Sequence, residues 1–271
     1  MDKAASAGRR AAGLARHQLR KAVKTARSLK GGSAAEALHD FRTSLRRLRV
    51  VLGAYRGCLG PAGSRGLRAE LRELSHMTSS ARDAQVWSAW LKRHGAPCEI
   101  THRLIIHLDA VAAHCRKDFL ARGLPRFKAA ARKLEGRLDR VKPGKLEFRK
   151  AACAAVRKAA KRLDRRLKPL RKDGSASQMH LARIRIKRLR YLLEPFSAAD
   201  ARARNMVGAL REMQDLLGTL HDLHQLLECG VAPASEPARI SAGRMEQAFR
   251  NRWLKTGRLD RLLSAARRWS A

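Results

Sequence analysis

Residues 39–52 read HDFRTSLRRLRVVL, and residues 180–193 read HLARIRIKRLRYLL. On an α-helix each residue turns about 100°, which puts His39 at 0°, Arg42 at about 300°, Arg46 at about 340° and Arg49 at about 280°. The four share one stripe. Phe41, Leu45, Leu48 and Leu52 fall between about 180° and 240° and form an apolar stripe beside it. The later segment repeats the arrangement, with His180, Arg183, Lys187 and Arg190 beside Ala182, Ile186, Leu189 and Leu193. Arginine offers planar paired donors to phosphate oxygens, lysine a point charge, and histidine a donor that becomes cationic beside an anion. Four such groups along about 15 Å of helix can engage several successive phosphates.

An ordinary solvated helix face mixes signs, with acids and bases at three- and four-residue spacing. These two segments carry bases at that spacing with almost no acids between them, at a cost of a few tenths of a kcal/mol per like-charged pair. The competing reading is a solvated face of a basic protein. Its recurrence in both segments favours a role in binding. Arg47 and Arg188 lie near 80°, off the stripe, where simple surface exposure accounts for them.

The whole chain shares the bias. Its 271 residues hold 60 Lys and Arg against 23 Asp and Glu, a formal net charge of +37. Self-repulsion at that level opposes the compact state, and a polyanion relieves it. Nucleic acid, an anionic membrane surface and polyphosphate are the candidate partners. Aromatic residues make up only 4%, few for a protein that stacks single-stranded bases. No run reaches the roughly 18 apolar residues of a membrane span. Met1 to Arg20 lacks the apolar stretch of a secretory signal, and its Arg-rich, acid-poor composition runs through the rest of the chain. Cys58, Cys98, Cys115, Cys153 and Cys229 are odd in number and widely spaced, without a CxxC. They fit a reducing cytoplasm better than a disulfide framework or a zinc site.

Hydrophobic residues make up 45% of the chain, enough for a sizeable core. Ala, Leu, Arg and Lys dominate, and no alternating strand pattern occurs, so the expected fold is all-α. Turn signals stand at Gly31-Gly32-Ser33, Gly57 to Gly66, Gly95-Ala96-Pro97, Gly123-Leu124-Pro125, Lys142-Pro143-Gly144, Lys172 to Gln178 and Gly230 to Pro237. They predict about eight helical segments. The two basic segments align through His39/His180, Arg42/Arg183, Arg47/Arg188, Leu48/Leu189, Arg49/Arg190 and Leu52/Leu193. A second block, LRELSHMTSSARD at 71–83, matches LREMQDLLGTLHD at 210–222 in the same order. Two blocks in register imply an internal duplication, with pseudo-repeats 1–141 and 145–271. Each is expected to form a four-helix bundle, the two related by a pseudo-two-fold axis.

The pattern His-x-x-Arg-x-x-x-Arg-Arg-Leu-Arg in one half and His-x-x-Arg-x-x-x-Lys-Arg-Leu-Arg-Tyr in the other resembles the CHAD domain, the conserved histidine α-helical domain. Ala81-Arg82-Asp83 resembles the family's first-half element, and Gln214-Asp215-Leu216-Leu217-Gly218 with His221-Asp222 its second-half element. The resemblance spans about residues 5–270. It implies two pseudo-symmetric four-helix bundles in one domain over 1–271, with a basic surface or pore between them. It also implies binding of inorganic polyphosphate, often at polyphosphate granules. Carried over by position, the polyphosphate-binding candidates are His39, Arg42, Arg46, Arg49, His180, Arg183, Lys187 and Arg190, with Arg82 a weaker one. His221 stands where the first half has Arg82, which leaves its role open. Ser79 stands where the second half has Gly218, which puts a close helix approach there in doubt. No ExExK signature of a triphosphate tunnel is present.

Three functions compete. The favoured one is non-catalytic binding of polyphosphate in the cytoplasm. Non-specific nucleic-acid binding is the alternative, expected from charge alone. A phosphohydrolase would need clustered acids to hold Mg²⁺, and the 23 acids are dispersed. His102, His107, His221 and His224 lack the further ligands of a metal site. Asp83 and Asp222 read as partners of neighbouring bases. No catalytic residue, cofactor or metal is expected, and the oligomeric state is left open.

Overall fold

The computed structural model describes residues 6–31, 34–172, 174–228 and 232–270. Among them the chain is all helical, and the one strand-like feature is an isolated bridge between Ser6 and Glu147. Two compact units emerge, residues 1–92 with 102–151 and residues 93–101 with 152–271.

The first unit begins with α1 (Ala7–Ser28) and α2 (Ala34–Ala54). The buried face of α1 is Ala7, Ala11, Ala15, Leu19, Ala22 and Ala26, small residues at helical spacing that let α2 lie close. Gly8 is required here, because a Cβ would stand 2.9 Å from the carbonyl oxygen of Lys142. The α2 helix starts five residues before His39, so the histidine sits within it rather than at its start. Phe41, Leu45, Leu48 and Leu52 are fully buried. Phe41 meets Phe119 and, edge-on, Phe127, with ring centroids 5.4 and 5.0 Å away. After α3 (Arg56–Leu59) and a 3₁₀ turn holding Pro61, the chain runs through α4 (Arg65–His76), α5 (Ser79–His94) and α6 (Glu99–Asp118). Ser64 caps α4, its hydroxyl accepting from the Leu67 amide.

Gly123 was expected to mark a turn. Instead Phe119–Gly123 forms a π-helical turn that leads directly into α7 (Leu124–Asp139). Pro125 lies in the first turn of α7, just after the Leu124 amide closes the π-helical turn by donating to the Phe119 carbonyl.

α8 (Phe148–Leu167) is followed by α9 (Ala176–Leu193), α10 (Ala201–Glu228), α11 (Ala232–Phe249) and α12 (Arg258–Arg268). Ser175 and Gln178 close a full capping box at the start of α9. Ala182, Ile186, Leu189 and Leu193 are buried, and α9 lies against α10. Of the expected connector from Gly230 to Pro237, Gly230 and Val231 lie outside the described residues, and the rest is helical, since α11 begins at Ala232 and contains Pro237 in its second turn. A second π-helical turn, Arg250–Leu254, joins α11 to α12 and buries Trp253. Trp269 is also buried, its indole donating to Asp200 at 2.7 Å. Among the described residues there are twelve α-helices, more than the eight expected. One of the extra breaks, between α4 and α5 at Met77–Thr78, carries neither Gly nor Pro.

Candidate phosphate-binding stripes

In the first unit, the α2 stripe faces the ends of α4 and α5. Arg42 is half-buried there. Its Nη1 donates to the Ser75 carbonyl at 2.7 Å, to Thr78 Oγ1 at 2.8 Å and to Ser79 Oγ at 3.3 Å. Ser75 lies in the last turn of α4, so Arg42 answers a carbonyl near a helix end with a full positive charge. Burial above all, and the field of Arg46 after it, lower its guanidinium to about 10, while Asp83 acts in the opposite direction.

One turn further on, Arg49 is half-buried among Arg46 of its own helix and Arg68 and Arg72 of α4. Burial first, then Arg46, Arg72 and Arg68 in turn, bring its guanidinium down to about 10. Arg68 is partly engaged, its Nε donating to the Gly63 carbonyl at 3.3 Å. Among the described residues no carboxylate lies within ion-pair distance of any of the four. His39 is exposed on the same helix, and Arg82 and Asp83 are half-buried on α5.

In the second unit, the α9 stripe faces α10. The Nδ1 atoms of His180 and His221 approach to 3.2 Å, with ring centroids 4.2 Å apart. Burial, Arg183, His180, Lys187 and His224, in that order, push His221 down to about 3. Burial and the same two cations also lower His180. Arg183 reaches Asp222 at 3.8 Å and lies over Gly218, where a Cβ would meet its Nε and Nη2 at 3.7 Å. Lys187 is half-buried. Arg190 differs from its three stripe-mates. Its side chain is only 8% exposed, with Nη1 2.6 Å from Glu194 Oε1 and Nε 3.1 Å from Gln214 Oε1.

A family model of the CHAD domain matches residues 13–230. The chain belongs to the CHAD domain family. The CHAD domain from the plant Ricinus communis, solved as a crystal structure, matches at a TM-score of 0.73 and 21% identity, over 100% of this chain and 95% of that one. PptA from Streptomyces chartreusis matches at a TM-score of 0.62 and 18% identity, over 96% of this chain and 99% of that one. At such identities these structures establish a shared fold. No curated protein matches the chain in sequence.

Within this CHAD fold, α2 brings Arg42, Arg46 and Arg49 onto one face. The α9 helix brings His180, Arg183 and Lys187 together and turns Arg190 inward. Arg47 and Arg188, read as surface residues, are both half-buried. Arg68, Arg72, Gln214 and Glu194 join the site without having been singled out in the sequence. A local signal existed for Glu194, which stands four residues after Arg190. For Arg68 and Arg72 none did, because their place depends on α4 lying against α2. His221, whose role was open, is the partner of His180. No helix among the described residues is long and apolar enough to cross a membrane.

Proposed function

We propose that this CHAD domain binds inorganic polyphosphate, without catalysis, through the basic stripes of α2 and α9. The observation that carries the reading is the acid-free cluster of Arg46, Arg49, Arg68 and Arg72. Four guanidiniums held together, three of them half-buried, repel one another in the free protein. A chain of phosphates supplies the counter-charge that the fold withholds, with paired donors matching its oxygens. In the first unit His39 and Arg82 extend the contact, and in the second His180, Arg183 and Lys187 offer one of their own. Arg42 and Arg190 shape the stripes by fixing α2 to the start of α5 and α9 to α10. The scarcity of aromatic side chains favours a ligand made of phosphate alone over a nucleic acid, whose bases the protein would have little to stack on.

The reading includes an internal duplication, with pseudo-repeats 1–141 and 145–271, each a four-helix bundle within one CHAD domain spanning 1–271. Two features support it. Each half opens with a pair of long helices, α1–α2 and α8–α9, and each later carries a π-helical turn before its last helix. The setting proposed is the cytoplasm, at polyphosphate granules.

The test is affinity for long-chain polyphosphate and for single-stranded DNA of matched phosphate count, over a salt series, with the wild type and an Arg46→Ala/Arg49→Ala/Lys187→Ala variant. Polyphosphate is expected to bind tenfold or more tighter than DNA, and the variant to lose both affinity and salt slope. Equal binding of both polymers, indifferent to the variant, would replace this reading with diffuse nucleic-acid attraction. Steady phosphate release in Mg²⁺ or Mn²⁺ would refute the non-catalytic part.

A further inference from the structure

A second basic feature lies apart from the stripes. Arg162, Arg165 and Arg166 of α8 and Arg185 of α9 line an open groove of about 600 Å³ in the second unit. Arg185 is two residues from Arg183, about 200° around the helix, so the groove lies on the side of α9 away from His180, Arg183 and Lys187. Its volume falls in the range of small-ligand sites, about 300–1,000 Å³.

Ordinary helix electrostatics explain only part of it. Arg165 and Arg166 occupy the last turn of α8, where the macrodipole favours cations. Arg162 stands a turn earlier, and Arg185 comes from another helix, so the dipole accounts for neither. Among the described residues none of the four has a carboxylate within ion-pair distance. Asp164, between them in sequence, lies about 200° from Arg162 on the other face of α8 and pairs there with Arg267 at 3.1 Å. Arg185 is half-buried, and burial together with Arg162 and Arg166 lowers its guanidinium below the ordinary arginine value. A fold that gathers four like charges around a cavity, with no acid lining it, leaves a site for an anion.

We propose that this groove is a second anion site that takes a short run of condensed phosphate, independently of the stripes. Adjacent phosphates in such a chain share a bridging oxygen, so a short length carries charge enough to answer four guanidiniums. In a nucleic acid a sugar separates each phosphate from the next, and no aromatic side chain lines the groove to hold a base. The proposal shares its ligand chemistry with the stripe reading but none of its residues.

Calorimetric titration of the full chain with tripolyphosphate, free of divalent metal, tests it. The proteins are the wild type, an Arg162→Ala/Arg166→Ala/Arg185→Ala variant and an Arg46→Ala/Lys187→Ala variant. The groove variant should lose one equivalent of tripolyphosphate, or at least tenfold in affinity for it, while the stripe variant retains that equivalent. Unchanged stoichiometry and affinity in the groove variant would overturn the groove, whatever the stripe variant does. Loss in the groove variant with no effect of the stripe changes would keep the groove and remove the stripe reading. If single-stranded DNA displaces tripolyphosphate equally well at equal phosphate concentration, the condensed-phosphate assignment falls. Removing mutually repelling charges should leave helicity and Tm undiminished. Should the triple variant fold poorly, Arg162→Lys/Arg166→Lys/Arg185→Lys keeps the charge, and loss of the paired donors should still weaken binding at least threefold. Unweakened binding in the lysine variant would overturn the site as drawn.

Discussion

The imidazoles of His180 and His221 meet through their Nδ1 atoms at 3.2 Å. Such a contact holds one hydrogen, donated by one ring and accepted by the other, so at least the accepting ring is neutral. Burial first, then Arg183, His180, Lys187 and His224, keep His221 neutral down to about pH 3. An unfolded histidine charges near 6.5. As pH falls, the unfolded chain takes up this proton first. The pair therefore costs no stability above about pH 6.5 and increasingly favours unfolding between there and about pH 3. The Tm of the wild type should fall over that window, and His221→Gln should flatten the fall. A wild-type Tm independent of pH from 7 to 4 would show that the pair is not held neutral.

Arg42 and Arg46 sit one turn apart on the same stripe and should behave oppositely on replacement. Arg42 donates to Ser75, Thr78 and Ser79, so Arg42→Ala leaves the Ser75 carbonyl without its charged partner. A loss of about 1.5–3 kcal/mol in unfolding free energy is expected. Arg46→Ala removes a charge that repels Arg42 and Arg49. It should leave Tm unchanged or higher while weakening polyphosphate binding. Urea unfolding of both variants, alongside polyphosphate titration of Arg46→Ala, separates the two roles.

The apolar stripes of α2 and α9 were legible because period alone determines them, and Phe41, Leu45, Leu48, Leu52, Ala182, Ile186, Leu189 and Leu193 are all buried as read. Elements depending on distant partners were not. The break at Met77–Thr78 has no breaker residue, and the Ser75 carbonyl just before it is answered by Arg42 from another helix. The π-helical turn at Phe119–Gly123 keeps the chain helical where Gly123 and Pro125 signal a turn. The same limit held at the site. Helical spacing aligned Arg46 with Arg49, but the approach of α4 that adds Arg68 and Arg72 is a tertiary event with no local signature.

Arg190 belongs to the stripe by angle, yet its charge is met within the protein by Glu194 at 2.6 Å. With side chains 8% and 21% exposed, the pair is mostly desolvated. Removing one partner strands the other. Glu194→Ala should cost about 3 kcal/mol of stability. The double replacement Arg190→Met/Glu194→Met should recover most of it, since apolar side chains of similar size tolerate that environment. If the double variant also binds polyphosphate within threefold of wild type, Arg190 is a positioning residue. A tenfold loss in a folded double variant would return it to the set of direct ligands.

Ser79 and Gly218 occupy matching places in the two blocks and support the same kind of arginine by different means. Ser79 offers its hydroxyl to Arg42 at 3.3 Å, while Gly218 lets the Arg183 guanidinium lie against bare backbone. A Cβ at Gly218 would meet Arg183 at 3.7 Å, an ordinary contact. Gly218→Ser should therefore be accepted, and with glycine's helix penalty relieved it should raise stability by about 0.5 kcal/mol. Its hydroxyl would reach Arg183 much as Ser79 reaches Arg42, so polyphosphate affinity should stay within twofold. Gly218→Leu fills the space that the guanidinium occupies and should displace it, lowering polyphosphate affinity severalfold while helicity is preserved. Thermal unfolding and polyphosphate titration of the two variants check this. Equal binding by both would mean that the seat of Arg183 on Gly218 does not matter to the ligand.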